Sequence, residues 1–207
     1  MAATDLRDRS TGRQAEAVTR GVHHLALTTE DMKTTTEFYV DVVGMKLVHA
    51  MTVPPGVGTG PGNRGNPRYE EIRHYFFDMG NDSLLAFFEI PAGEKPATDR
   101  DAIGGMQHVA FAVTPTRFAE IQSRLAEAGV EFDGPVDILP GLQSIYFYDP
   151  NDIRLEACCQ PAAGERPGVI NSVLQSKADA LAELRTTGAD EAWLEAMTAN
   201  LSDDGTG

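Results

Sequence analysis

One strand-and-helix pattern occurs twice in this chain, and that repeat limits the folds open to it. Val22-His23-His24-Leu25-Ala26-Leu27-Thr28 reads like Met106-Gln107-His108-Val109-Ala110-Phe111-Ala112. Each copy is a short alternating strand with a histidine near its start. Helix-like stretches follow at 31–43 and 116–128. They end at Gly44 and Gly129, where a left-handed cap costs little. Further strands are predicted at 45–48 and 130–132. His24 and His108 lie 84 residues apart, Gly44 and Gly129 85 apart. Each half then closes as a meander. Strands at 71–78 and 84–90 flank Gly80-Asn81-Asp82, and strands at 142–149 and 153–159 flank Pro150-Asn151-Asp152. These turn residues suit tight connections. Asp78 and Asp149 are only 71 apart, so the first half carries an insertion, the Gly/Pro-rich segment 54–67. It reads as a long loop or lid.

The repeating unit is therefore β-α-β-β-β. Neither half alone covers both faces of its sheet, which predicts an α+β fold of paired βαβββ modules forming a curved mixed sheet around a cleft, followed by C-terminal helices. Three regions result: a flexible N-terminal tail at 1–20, a two-module domain at 21–160 (modules about 21–92 and 104–160), and a linker with an acidic helical extension at 161–207. Helices are expected at 173–185 and 189–201, with Leu174, Ala178, Leu181 and Leu184 on one apolar face and Trp193 and Met197 on the other helix's face. Those faces predict packing on the body or on a second subunit.

The 207 residues carry 31 acidic and 17 basic side chains, a net charge of −14. That balance excludes sequence-independent nucleic-acid binding and docking on an anionic membrane. No apolar run is long enough to span a bilayer, and residues 1–20 lack the apolar centre of a secretory signal. Cys158 and Cys159 are adjacent, which disfavours a disulfide and points to reduced thiols in the cytoplasm.

The His24 strand, Phe38-Tyr39, Gly44-Met45-Lys46-Leu47, the His108 strand and Tyr148-Asp149-Pro150-Asn151-Asp152-Ile153-Arg154-Leu155-Glu156 together resemble the vicinal-oxygen-chelate superfamily. That group contains glyoxalase I, extradiol dioxygenases, fosfomycin-resistance proteins, epimerases and bleomycin-binding proteins. The resemblance covers about residues 21–160. It implies a metal held from the first and last strands of the modules, by His24, His108 and Glu156. Two imidazoles and one carboxylate form a facial set with open positions, suited to Fe(II) oxygenases. Strand alternation agrees: His24 shares a face with Ala26 and Thr28, and His108 with Ala110 and Ala112. His23 then faces away and reads as structural.

Glu89 is a possible fourth ligand. The glyoxalase I resemblance implies a Glu near the end of the first module, and Glu89 falls about there counting back from His108. Aligning the two turns instead puts Ala86 at the ligand position, with Glu89 facing away. Turns set strand register, so the three-ligand set is preferred. Tyr146, ten residues before Glu156, resembles a Tyr of extradiol dioxygenases that hydrogen-bonds substrate. Their signature also expects Gly or Pro where Asp152 stands and a His where Asp137 stands. His74 is the candidate substitute, as a neutral imidazole able to move a proton near pH 7. His49 and Cys158 read as structural.

The leading expectation is a cytoplasmic, homodimeric, non-haem Fe(II) dioxygenase of extradiol type, taking dioxygen and a small catechol-like aromatic. His74 and Tyr146 are its catalytic candidates. The alternatives are a glyoxalase-I-like isomerase or lyase using Zn, Ni or Mn, and a protein that only sequesters a small aromatic.

Overall fold

A computed structural model describes residues 7–8, 21–53, 72–80, 83–93, 99–139, 141–165, 169–170, 176–201 and 203. The expected lid at 54–67, and the tail apart from β1 (Arg7–Asp8), lie outside them. The chain divides into two units: Arg9–Gly168, and Met1–Asp8 with Val169–Gly207.

In the larger unit, β2 (His24–Thr29) alternates as its sequence requires, with His24, Ala26 and Thr28 exposed. Helix α1 (Met32–Glu37) starts at Asp31, whose side chain accepts from the Thr34 N–H at 3.0 Å. It continues as a π-helical turn over Phe38–Val42. Gly44, at φ +85°, then redirects the chain into β3 (Lys46–Thr52). Strands β4 (Arg73–Gly80) and β5 (Ser83–Glu89) complete a sheet of order β2-β5-β4-β3. The β2–β5 pair is parallel and the other two pairs are antiparallel.

The second module repeats this. Strand β6 (Val109–Val113) leads to α2 (Pro115–Glu127), capped by Thr114 with Pro115 in its first turn. Strands β7 (Phe132–Leu139), β8 (Leu142–Tyr148) and β9 (Arg154–Cys159) give the order β6-β9-β8-β7. The fold is thus two four-stranded mixed sheets with helices, the paired βαβββ modules anticipated above. One element is longer than expected. Strand β7 runs on to Leu139 through Gly134-Pro135, because a register shift between Asp133 and Val136 absorbs them at a sheet edge, where proline is tolerated.

The helix-facing sides of both sheets share one core. Tyr39, Phe77, Leu85 and Phe87 from the first module, and Leu125, Ile145, Phe147 and Leu155 from the second, are fully buried within it. Each such side chain contributes about 1.5–3 kcal/mol. Contacts that join the modules include Phe38 against Phe147 with ring centroids 6.5 Å apart, Tyr39 Oη donating to Asp149 Oδ2 at 3.0 Å, Asn151 Nδ2 donating to Thr35 Oγ1 at 3.2 Å, and Arg124 Nη1 donating to the Asp41 carbonyl at 3.1 Å. The opposite sheet faces stay open, with Ala26, Thr28, Ala110 and Ala112 exposed on them.

In the smaller unit, β1 pairs antiparallel with β10 (Val169–Ile170). Helix α3 (Lys177–Leu184) is capped by Ser176, and α4 (Glu191–Met197) by Asp190. Lys177 bonds Glu195 at 2.8 Å. Among the described residues of this unit Ala180, Leu194 and Thr198 are buried, whereas Trp193 is 41% and Met197 52% exposed. Within this unit the second helix buries Leu194, and Trp193 and Met197 are left for the expected packing on a second subunit.

Candidate metal centre

Strand register assembles the centre of the second module. Ala110 of β6 pairs with Glu156, and Tyr146 of β8 pairs with Glu156 from the other side. Along β9 the buried Leu155, Ala157 and Cys159 face the core, so Arg154, Glu156 and Cys158 take the open face. Glu156 is nonetheless only 5% exposed. Its Oε2 lies 2.9 Å from His108 Nε2. His108 Nδ1 is hydrogen-bonded to Gln107 Oε1. An amide oxygen only accepts, so Nδ1 carries a proton, and Nε2 faces Glu156 at a distance that a proton or a metal ion between the two would bridge. One imidazole nitrogen and one carboxylate oxygen aimed at the same point are donors that fit a divalent transition metal.

Tyr146 stands edge-on to the His108 ring, centroids 6.0 Å apart. Burial, and then the Glu156 charge, raise its phenol pKa, which keeps the hydroxyl protonated and able to donate. Burial and the same carboxylate push the Cys158 thiol up to about 12, so Cys158 is no nucleophile.

The first module has the same register with different side chains. Ala86 pairs with Ala26 and Phe76, just as Glu156 pairs with Ala110 and Tyr146. Ala86 therefore occupies the Glu156 position, and Phe76 the Tyr146 position. Glu89 lies on the helix-facing side. Its Oε1 accepts from the Met32 N–H at 3.0 Å, and its Oε2 pairs with Arg73. Glu89 ties the start of α1 to the sheet. Glu89→Gln should therefore leave metal content at the parent level and lower stability by about 1 kcal/mol, read by metal analysis and urea unfolding.

His74 is 7% exposed. It stacks on Phe88 with centroids 3.6 Å apart, and its Nδ1 lies 3.0 Å from the Phe87 carbonyl, to which it donates. Burial lowers its pKa against that hydrogen bond, so it is neutral near pH 7 with Nε2 free. His24, His49 and His74 surround the Phe76 ring, at 6.0, 5.7 and 4.3 Å between centroids. His23 does not turn away from His24 as expected. Its Nδ1 is 2.9 Å from His24 Nδ1, because β2 begins at His24 and strand alternation does not reach His23. His23 and Gln107 occupy the same repeat position and both engage Nδ1 of the following histidine.

The site candidates thus fall into two groups. His108, Glu156 and Tyr146 meet on the second sheet, while His24 and His74 flank Phe76 on the first. Among the described residues, no three His, Cys, Asp or Glu side chains gather to hold a metal. Gln107 and Arg154 have no functional role in the sequence reading; the repeat and the alternation along β9 place them beside the centre but do not show the amide oxygen that both His108 and Arg154 share.

Two βαβββ modules, with His108 and Glu156 adjoining on the open face of the second sheet, define the fold class. The family model described as the Glyoxalase/Bleomycin resistance protein/Dioxygenase superfamily matches residues 21–157, and the chain belongs to that superfamily. It is similar to a glyoxylase/bleomycin resistance protein/dioxygenase domain from Frankia sp. EAN1pec, at 23% identity and TM-score 0.52, covering 68% of this chain and 97% of that one. It is also similar to a glyoxalase/dioxygenase from Nostoc punctiforme, at 26% identity and TM-score 0.50, covering 69% and 92%. A mutant of the Listeria monocytogenes fosfomycin resistance protein FosX, complexed with Mn(II) and 1S,2S-dihydroxypropylphosphonic acid, matches at 20% identity and TM-score 0.47, covering 67% and 91%. No curated protein matches. The superfamily includes enzymes, and this last relative holds a divalent metal. Among the described residues, no helix is long and apolar enough to cross a membrane.

Proposed function

We propose that the protein is an Fe(II)-dependent dioxygenase of extradiol type, acting on a small catechol-like aromatic. The observation that supports this reading is Ala86 in the register position of Glu156. A methyl group cannot ligate, and Glu89 is engaged on the far face, so the repeat supplies three donors instead of four. Those donors are His24, His108 and Glu156. His24 reaches the other two from a second copy of the chain, which makes the working form a homodimer. The open sheet faces and the exposed apolar residues on the edge strands, Leu47 and Val48 on β3 and Val136 and Ile138 on β7, support that assembly. The free thiols Cys158 and Cys159 suit a cytoplasmic protein.

Fe(II) held by His24, His108 and Glu156 would supply Lewis-acid binding of the substrate's oxygens and of dioxygen and would stabilise charge developing on oxygen. The rest falls to the chain's own side chains. Gln107 keeps the His108 proton on Nδ1. Tyr146 donates its hydroxyl hydrogen to a substrate oxygen. His74, carried on the same module as His24, accepts a catechol proton at Nε2, a role that needs a neutral imidazole at working pH.

The test is oxygen uptake by anaerobically purified, Fe(II)-reconstituted protein against a panel of catechols. Equimolar loss of dioxygen and catechol is expected. No uptake with any catechol, combined with turnover of a hemithioacetal by Zn-, Ni- or Mn-loaded protein, would replace this reading with the isomerase. Tight catechol binding without turnover by any metal form would replace it with a sequestering protein.

A further inference from the structure

We propose that Arg154 is the receptor for a carboxylate on the substrate, so that the natural ligand is an anionic aromatic and not a neutral catechol. The inference deepens the function proposed above and rests on it for the position of the aromatic ring.

Arg154 opens β9 and lies on the same sheet face as Glu156, two residues on. Its guanidinium carbon sits 4.3 Å from the centroid of the Tyr146 ring. Its Nη1 donates to Gln107 Oε1 at 3.3 Å, the same oxygen that holds His108. These two contacts fix the plane and position of the group without neutralising it, since an aromatic face and an amide oxygen carry no net charge. Among the arginine side chains described, the others each meet a carboxylate: Arg73 with Glu89, Arg100 with Asp101, Arg117 and Arg124 with Glu120, and Arg185 with Glu191. Among the described residues, Arg154 has no carboxylate partner. In a chain with 31 acidic and 17 basic residues, a half-buried arginine without a counter-anion is the exception.

Its place gives the exception a use. A guanidinium binds a carboxylate through two parallel N–H donors, and it gains most where water is partly excluded. Arg154 is anchored through one Nη and its π-face, which leaves other N–H groups to donate. It shares Tyr146 and Gln107 with the His108–Glu156 pair. A ring whose vicinal oxygens approach Glu156 and His108 would therefore present a ring carboxylate to Arg154.

The test compares four ligands by calorimetric titration. Catechol and 3,4-dihydroxybenzoate are titrated into Mn(II)-loaded protein. Benzoate and benzamide are titrated into the metal-free protein. In the parent, the carboxylated catechol should bind about ten- to hundredfold tighter than catechol, the range for a hydrogen-bonded charge. Benzoate should likewise bind tighter than benzamide. In Arg154→Gln both ratios should fall to near one, and in Arg154→Lys they should recover in part. Using ratios removes any general loss of binding in a variant. Equal affinities within each pair in the parent, or ratios that survive Arg154→Gln, overturn the proposal. A benzoate preference that depends on Arg154, with no catechol binding at all, supports the carboxylate receptor and counts against the dioxygenase. Catechol binding without a carboxylate preference does the reverse.

Discussion

Glu156→Ala should yield a folded protein whose affinity for a divalent metal falls by at least about a hundredfold, more than losing an outer partner of a ligand usually costs. Glu156 is buried, and its carboxylate meets His108 Nε2 at 2.9 Å, so its removal takes away half of the donor pair that the second module assembles. The fold survives because the unpartnered imidazole is about one-third exposed and can turn to water. Removing one partner is severe when the other is left buried and unsatisfied, and here it is not. His108→Ala should have an effect of similar size. The double variant should be little worse than either single one, since the two side chains act as a unit. Competition with a chromophoric chelator measures the affinity, and oxygen uptake should fall in parallel. Parent-level metal binding by either single variant would remove His108 and Glu156 from the centre and, with them, the proposed function.

The contrast between Glu156 and Ala86 is legible in the sequence, because both follow tight turns at the same spacing and turns hold register. The same repeat made His24 and His108 equivalent but said nothing about their separation. Equivalence is a local property of the pattern, whereas proximity depends on how the two sheets meet. Here they meet through their helix-facing sides, which leaves the two histidines on separate open faces. Other misses have local causes. Gly134-Pro135 reads as a break, and an edge strand absorbs it through a register shift. His23 sits one residue outside β2, beyond the reach of alternation. Gln107 and Arg154 are polar neighbours of the centre whose roles depend on one amide oxygen reaching both, which no spacing rule encodes.

The residue that sets the start of β9 is Asp149, and Asp149→Ala should destabilise the protein by about 3 kcal/mol or more. Asp149 is 4% exposed and accepts four hydrogen bonds: from Tyr39 Oη at 3.0 Å, the Asn151 N–H at 2.8 Å, Asn151 Nδ2 at 3.1 Å and the Ile153 N–H at 2.9 Å. Each donor left buried without a partner costs roughly 1–3 kcal/mol, and several lose theirs together. Tyr39→Phe removes one of the four bonds and should cost only about 1 kcal/mol. Urea unfolding resolves the two, and equal losses would contradict the account. A second readout follows from charge. Burial raises the Asp149 pKa above the ordinary value of 3.8, against the opposing hydrogen bonds. The folded state therefore favours the protonated form. The stability tied to this group is full below pH 3.8 and is lost as the pH rises through the folded value. Asp149→Asn stays neutral throughout, so its cost should be largest in acid and shrink toward neutral pH. The turn that Asp149 closes, with Asp152 held at φ +59°, delivers Arg154 and Glu156 to the open face. Loss of that turn should therefore weaken metal binding in Asp149→Ala under conditions where the rest of the core is still folded.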